Sequence, residues 1–387
     1  MENIRSQFLL NPNIIHLNHG SFGACPKPIF EDYQNWQLQL EQDTVEFFAR
    51  RGPELLYNSR KALADFIGCH ANDVVYTMNP SYAINIIAKS FPLKQGDEIL
   101  ATDLEYGAMD RTWNYYCQKA GATYVQQRIT LPVSNKEEVV EEFFKGLTPN
   151  TKAIFISHIT SSTALILPVK EICAKAKELG LITIVDGAHV PGHIPLDLST
   201  LDADIYTGAC HKWMLTPKGS SFLYVKRDLQ SLFDPLVISW GYESDNPSNS
   251  QFIDFHQLQG TRDFSAFLTI PKALEFRKEF DWENVSAQAR KVSQENYHRF
   301  SEVANGQMPC MVSDDFLGQM CSLEIDCPDF VKLGELLYNR YGIEVPVFPH
   351  GNKVFIRYSF QGYNKQEDLD ALFASLAEIR RTTDLLG

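Results

Sequence analysis

Long apolar runs are missing from this chain. Its longest uncharged stretch, AIFISHITSSTALILPV, is broken by Ser, Thr and His, so no bilayer-spanning helix is expected. A secretory leader is not expected either, because MENIRSQFLL carries charges on both sides of only a short apolar run. Clustered basic residues are also lacking. A formal net charge of −13 argues against nucleic acid and anionic membranes as partners. The eight cysteines lie far apart with no Cys-x-x-Cys pair, which excludes a disulfide framework and a zinc knuckle and fits reduced thiols in a cytoplasmic protein. No Gly-x-Gly-x-x-Gly follows a strand, no Gly-x-x-x-x-Gly-Lys-Ser/Thr occurs, and there are no repeats or low-complexity segments. Nucleotide binding by those loops is therefore excluded.

What is present is a soluble globular composition, 44% hydrophobic and 21% charged over 387 residues. From about residue 60 to 225, short β-rich runs alternate with helical periodicity. DVVYTM (73–78), DEILAT (97–102), KAIFISHI (152–159), LITIVDG, DIYTGA and GSSFLYVK read as strands. PSYAINIIAKSF, the region around RTWNYYCQKAG, and VKEICAKAKELG read as helices, the last closed by Gly180. Such alternation predicts βαβ units and a largely parallel sheet covered on both faces. Ligands bind such sheets at the carboxyl ends of the strands, where NPS, EYGA, SHITSS, DGAH and ACHK all fall. Beyond residue 230, a polar loop, MCSLEIDC, a helix near PDFVKLGELLYNRYG, KVFIRYSF and a closing amphipathic helix predict a smaller α+β domain. The expected boundaries are an N-terminal arm at 1–15, a large domain at 16–255 and a small domain at 256–387.

Two chemistries compete for the strand ends. Asp186, His189 and His193 have the spacing of metal ligands on a helix, but Pro191 and Gly192 stand inside that span and disfavour one, so no metal is expected. The alternative is pyridoxal 5'-phosphate. That cofactor needs a lysine for the imine, a carboxylate for the pyridine nitrogen, a helix N-terminus for the phosphate and a flat group for the ring. Lys212 and Asp186 stand 26 residues apart, about one connection plus one strand, so both face one cavity. NPSYAIN (79–85) supplies the turn into a helix, and Tyr106 the stacking face. Singly, an Asp at a strand end is a turn residue and a Lys a solvated charge; together and in this order they favour the cofactor.

LNHGSFGACP (17–26), DLEYGA (103–108), SHITSSTALILPV (157–169), DGAHVPG (186–192), HKWMLTPKG (211–219), QGTRD (259–263) and IRYSFQGYN (356–364) resemble the class V aminotransferases among the fold-type I pyridoxal phosphate enzymes. Within that class they are most similar to the isopenicillin N epimerase-like branch. The resemblance runs from about residue 15 to 365. It implies the fold-type I transferase fold, with a mainly parallel seven-stranded sheet and a smaller C-terminal α+β domain.

By position, the resemblance implies that Lys212 carries the cofactor and acts as base, and that Asp186 pairs with the pyridine nitrogen. His189 and Ser161 or Ser162 belong beside the phenolic oxygen. Ser81, Tyr82 and His211 belong at the phosphate, and Thr261 reaches it from the neighbouring subunit of a homodimer. Arg357 clamps the substrate α-carboxylate, a task that suits a guanidinium fork. Asn18, His19 and Gly20 line the substrate side. Two positions depart from the pattern: Tyr82 stands where many relatives have a small residue or Thr, and Ala209 where relatives often have a polar one.

Three reactions on an amino acid or amino-acid-bearing small molecule follow from such a site. Epimerisation or racemisation needs groups on both faces of Cα, with Lys212 on one and Tyr106 or a water on the other. C–S elimination needs one base and a leaving group, and transamination needs a second keto acid. Cysteine desulfuration is not expected, because RYGIEVPVFPHGNKVFIRYS contains no cysteine ahead of Arg357, and Cys210 reads as a buried filler. Arg50 and Arg51 are either a surface pair or the partners of a distal substrate carboxylate. A non-enzymatic regulator on the same fold is not expected, since no basic extension is present and both Lys212 and Arg357 are.

Overall fold

The computed structural model describes residues 4–387. Twelve strands are found: β1 (Ile15–His16), β2 (Val74–Thr77), β3 (Glu98–Thr102), β4 (Thr123–Gln127), β5 (Thr151–Ser157), β6 (Ile182–Asp186), β7 (Ile205–Ala209), β8 (Ser221–Val225), β9 (Met320–Ile325), β10 (Ile343–Glu344), β11 (Val347–His350) and β12 (Lys353–Ser359). Seven of them form one sheet in the order β2-β8-β7-β6-β5-β3-β4. Only β8 runs against its neighbours.

Both faces of this sheet are dry, and the strand sequences show why. Alternate residues of a strand point to opposite faces. Val75, Ile99, Phe155, Ile184, Ile205 and Leu223 enter one apolar cluster. Their neighbours Tyr76, Leu100, Ile154, Ile156, Val185 and Phe222 enter the other. A strand buried on both faces needs a continuous apolar run, which is what made six of the seven legible. β4, TYVQQ, was not among the predicted strands. Like β2 at the other edge it is bonded on one side only, but where β2 is buried throughout, the half-exposed polar residues of β4 hide the β pattern.

The helices that shape the site begin where the sequence places their caps. Asn79 precedes the helix Pro80–Ser90, and its side chain accepts the Tyr82 N–H at 2.8 Å, with Pro80 in the first turn. The helix Gly107–Ala120 follows β3 and stops at Gly121, whose φ of 70° terminates it in the left-handed region.

After residue 230 the chain builds a second, antiparallel sheet in the order β11-β12-β9, backed by the helices Trp282–Ala304 and Gln366–Thr382. The start of the chain is stitched to this part. β1 pairs with β10, and Asn18 bridges to Ser359. Within the expected arm, residues 1–3 lie outside the described residues; Ile4 and Phe8 are buried, the Phe8 ring packing 4.9 Å from Tyr363 and 6.2 Å from Trp282. Among the described residues no helix is long and apolar enough to cross a membrane.

Candidate active site

Register brings the polar strand ends level. Ser157, the last residue of β5, is paired with Asp186, the last of β6, which is paired in turn with Thr207 of β7. Five residues beyond Thr207 comes Lys212. The carboxyl ends of adjacent parallel strands thus open on a cavity of about 510 Å³, lined by Lys212, Asp186, His189, His211, Ser81, Tyr106, Ser161 and Arg357 among others.

Lys212 is half-buried on the cavity wall, and its Nζ lies 3.2 Å from Nε2 of His189. Burial and the nearby Arg357 bring its amine down to about 7, against the opposing pull of Asp186. Asp186 is buried. Burial pushes its carboxyl up, while the Ala188 N–H, donated to Oδ1 at 2.9 Å, and Lys212 pull it down. The Trp213 indole donates to Nδ1 of His189 at 3.4 Å, which leaves the hydrogen of the neutral imidazole on Nε2, facing the Lys212 amine. Burial and then Lys212 hold His189 well below the usual histidine range, so it stays neutral.

His193 belongs elsewhere. It stacks on Trp213 with ring centroids 3.8 Å apart, meets the His189 carbonyl through Nδ1 at 2.9 Å and accepts the Gln319 N–H at Nε2. Both nitrogens are occupied, so the three-residue metal geometry does not form.

Arg357, on β12, is carried over the cavity by the small sheet. Nη1 donates to the carbonyl and, at 3.4 Å, to Oγ of Ser161, and Nη2 donates to Ser21 Oγ at 3.3 Å. Nε of Arg357 is buried without a protein partner. Burial lowers the guanidinium to about 10. A buried cation with an unsatisfied donor in an open cavity is suited to an anionic ligand.

The motif LNHGSFG divides its labour in a way that spacing did not reveal. Gly20 lines the cavity; a Cβ there would meet Met320 Sδ at 2.6 Å and Ser359 Oγ at 2.8 Å. Gly23, at φ 71°, lets the loop settle on the lysine's own backbone, since a Cβ would stand 2.1 Å from the His211 carbonyl oxygen. His19 is fully buried and turned away from the cavity. Ala24 N–H reaches its Nδ1 at 3.3 Å and Tyr363 hydroxyl at 3.2 Å, so its Nε2–H donates to the Lys212 carbonyl at 3.0 Å. Asn18 is bonded to Glu344 at 2.9 Å and accepts from Ser21, the hydroxyl that receives Arg357. In this structure both residues face the scaffold, where the sequence expectation put them on the substrate side. Ser21, unremarked in the sequence reading, is the member of the motif that touches the arginine.

The phosphate end is equally specific. Ser81 lines the cavity at the start of its helix. The Tyr82 N–H is taken by Asn79, and its hydroxyl donates to Gln259 Oε1 at 2.7 Å. His211 donates through Nδ1 to the Ser220 carbonyl at 3.0 Å, leaving Nε2 as an acceptor that must gain a proton before it donates to a phosphate. Ser162 Oγ is buried without a partner, and Thr261 is exposed and outside the cavity. Arg50 pairs with Glu46 at 2.7 Å and Arg51 donates to Gln39 at 3.0 Å; neither lines the cavity.

One supporting residue escaped the sequence reading. Glu105 is fully buried beside Tyr106, accepting Ser157 N–H at 2.8 Å, Ser157 Oγ at 2.6 Å and Thr102 Oγ1 at 2.6 Å. It ties the end of β3 to the end of β5, and burial pushes its carboxyl up to about 8. A charged residue between Leu104 and Tyr106 at a strand end was the available signal. Cys210 is fully buried with its thiol pushed up to about 12, a packing residue and no nucleophile.

These residues fit pyridoxal phosphate. A near-neutral half-buried lysine, a buried carboxylate one strand away, a neutral imidazole whose Nε2–H faces the amine and a capped helix N-terminus converge on a cavity within the usual size range for cofactor sites, roughly 300–1,000 Å³.

Known proteins agree. The profile of the aminotransferase class-V family matches residues 30–372. Isopenicillin N epimerase of Amycolatopsis lactamdurans is 31% identical, with 98% of both chains covered. L-cysteine desulfhydrase of Arabidopsis thaliana is 27% identical over 95% of this chain and 88% of its own. The cystine C–S lyase C-DES, solved with its product cysteine persulfide, superposes with a TM-score of 0.84 at 22% identity, covering 95% and 98% of the two chains, and so shares the fold. With a lysine and an aspartate brought together at the ends of neighbouring strands, this chain belongs to the class V aminotransferase family, an enzyme family dependent on pyridoxal phosphate, with isopenicillin N epimerases among its relatives.

Proposed function

We propose that this enzyme epimerises or racemises an amino-acid-bearing small molecule at Cα. The observation that carries the reading is the reach of two groups into one cavity. Lys212 comes from the end of β7 and Tyr106 from the end of β3, and β6 and β5 lie between them. Bound pyridoxal phosphate supplies the electron sink that makes the Cα–H acidic. The chain's residues then hold and move the proton. Lys212, whose amine is brought down to about 7 and so is largely neutral above that pH, takes it on one side, and the Tyr106 hydroxyl, half exposed at the mouth, returns one on the other. Arg357 holds the α-carboxylate, and Asp186 and His189 fix the cofactor.

The 31% identity to an isopenicillin N epimerase supports this, as does the form of the cavity. It opens into a second cleft of about 950 Å³, and Ser21, Tyr106, Ser161 and Arg357 line both. A substrate with one short side chain has no use for so large an outer space.

A C–S lyase is the second reading, favoured by Lys212 as the one amine beside Asp186 and His189, since elimination needs one base only and Lys218, which also lines the cavity, donates to the Gly23 carbonyl at 2.8 Å, and by the 27% identity to a cysteine desulfhydrase. An aminotransferase has no separate feature in its favour. The same reading takes the protein as a cytoplasmic homodimer: Thr261, exposed and outside the cavity, would reach a phosphate only from a neighbouring subunit, the exposed Ile238 and Trp240 offer apolar surface nearby in sequence, and all eight cysteines are free.

The test is deuterium incorporation. Amino acids and γ-linked peptides are incubated with the holoenzyme in D₂O and resolved by chiral mass spectrometry, with Lys212→Ala as control. Epimerisation returns substrate labelled at Cα in both configurations, and Lys212→Ala loses at least the roughly 10²–10⁴-fold that a positioned base contributes. Release of keto acid without an added amino acceptor sinks it in favour of the lyase.

A further inference from the structure

We propose that the outer cleft is an anion subsite in which Arg111 and Arg128 bind a second carboxylate of the substrate, far from the reacting carbon. The inference rests on the reading that Arg357 takes the α-carboxylate, and it adds the class of substrate: an extended or peptide-like amino acid with an acidic far end.

Placement comes from the sheet. Arg128 directly follows β4, the edge strand, and Arg111 stands one turn into the helix that begins after Tyr106. Both line the outer cleft together with Tyr106 and Ser161, which also line the inner cavity. Ser161, the contact of Arg357, follows β5. From β5 across β3 to β4 is two strand spacings, so the second anion site stands roughly 10 Å from the first. A free cysteine does not span that gap.

The acids around the cleft are engaged by other donors, and although Asp110 feels Arg111 and Glu142 feels Arg128, neither arginine forms a contact ion pair among the described residues. Asp103 accepts the Ile129 N–H at 2.9 Å, and Glu105 is buried and triply hydrogen-bonded. Asp110 accepts the Tyr124 hydroxyl at 2.9 Å and Gln126 at 3.1 Å, and burial pushes its carboxyl up. Lys353 is committed to Glu324 at 2.6 Å, and His350 to the Asp103 carbonyl at 2.8 Å. Arg111 uses one nitrogen on the Gly107 carbonyl at 2.7 Å, which fixes its stem and leaves the rest of the fork. Arg128 is exposed and makes no contact ion pair among the described residues; Glu142, which feels its charge, is engaged by Thr130, whose N–H and hydroxyl it accepts at 2.7 Å. Neither Arg50 nor Arg51, the pair singled out from sequence, has such a position.

The experiment measures binding to the wild-type holoenzyme by calorimetry, using γ-L-glutamylglycine and the same peptide with its glycine carboxylate capped as the amide. The α-amino acid head is identical in the two. The acid is expected to bind about tenfold more tightly, as a charge-assisted contact implies, and the ratio to fall below about threefold in Arg128→Gln and in Arg111→Gln. Deuterium exchange of L-alanine, which does not reach the outer cleft, serves as the fold control and is expected unchanged in both variants. Equal affinity for acid and amide in the wild type overturns the subsite. A preference that survives both substitutions removes it from these two arginines. Discrimination in calorimetry with no deuterium at Cα for any compound upholds the subsite and sinks the proton-transfer reading instead.

Discussion

The inner cavity and the outer cleft share four lining residues and otherwise have little in common. Inside, Asp186 and His189 are buried, Lys212 is half-buried beside them, and all three are shifted from their ordinary titration ranges. Outside, Arg111 and Arg128 are solvated, and the walls come from the edge strand and the β11–β12 hairpin. On the proposed reading, the difference separates the amine that takes the proton from the groups that choose a substrate. Lys212 is held at the end of a central strand and shifted by desolvation, whereas Arg111 and Arg128 work at the margin, where loops and edges vary at small cost.

Arg357 is the hinge of that comparison, since it belongs to both spaces. Arg357→Gln removes the cation while keeping a side chain of similar reach. It is expected to raise KM for the exchanging substrate roughly 10–100-fold, the worth of a charged hydrogen bond, with a smaller effect on kcat. An unchanged KM would mean that the α-carboxylate binds elsewhere and that the two spaces are not joined by one substrate.

A second test uses the charge state of the inner cavity. Burial and Arg357 bring the Lys212 amine down to about 7, so it is neutral above that pH and cationic below it. Only the neutral amine is a nucleophile. Covalent loading of pyridoxal phosphate onto the cofactor-free protein, followed by absorbance, is expected to level off above pH 7 and to slow about tenfold per unit below it. In Arg357→Gln the midpoint is expected to move upward, because one of the charges that disfavours the ammonium is gone. A midpoint near the ordinary lysine value in the wild type would show the cavity to be wetter than its walls imply.

The smallest effect is expected where neither space is touched. His19→Phe removes the donor to the Lys212 carbonyl and the acceptor of the Ala24 N–H. Stability, read by thermal unfolding, is expected to fall by about 1–3 kcal/mol, the cost of leaving buried polar groups unpaired. Calorimetric preference for γ-L-glutamylglycine over its amide is expected to persist. Loss of that preference would make His19 a substrate residue after all.

Much of this was legible in the residues. Six of seven central strands were readable because burial on both faces demands apolar runs, and Lys212 and Asp186 because a cofactor of this kind requires both at strand ends. β4 was not, because its residues are exposed or half-exposed and largely polar, whereas β2, at the other edge, is buried and apolar. The division of LNHGSFG was not either. Which of Asn18, His19, Gly20 and Ser21 faces the cavity depends on a loop pressed against the Lys212 backbone at Gly23 and on β1 pairing with β10, contacts 188 or more residues distant in sequence.

The sequence by itself determined the sheet, the order of the motifs and the identity of the cofactor, because these follow from local periodicity and from residue types the chemistry cannot do without. The tertiary structure alone decided that Arg357 of the small sheet stands over a cavity of the large one and that Ser21 receives it. It alone placed Arg111 and Arg128 beyond Tyr106 while Arg50 and Arg51 face elsewhere. Cationic side chains look alike in a sequence, and only the packing of one element on another decides which of them remain unpaired beside a cleft.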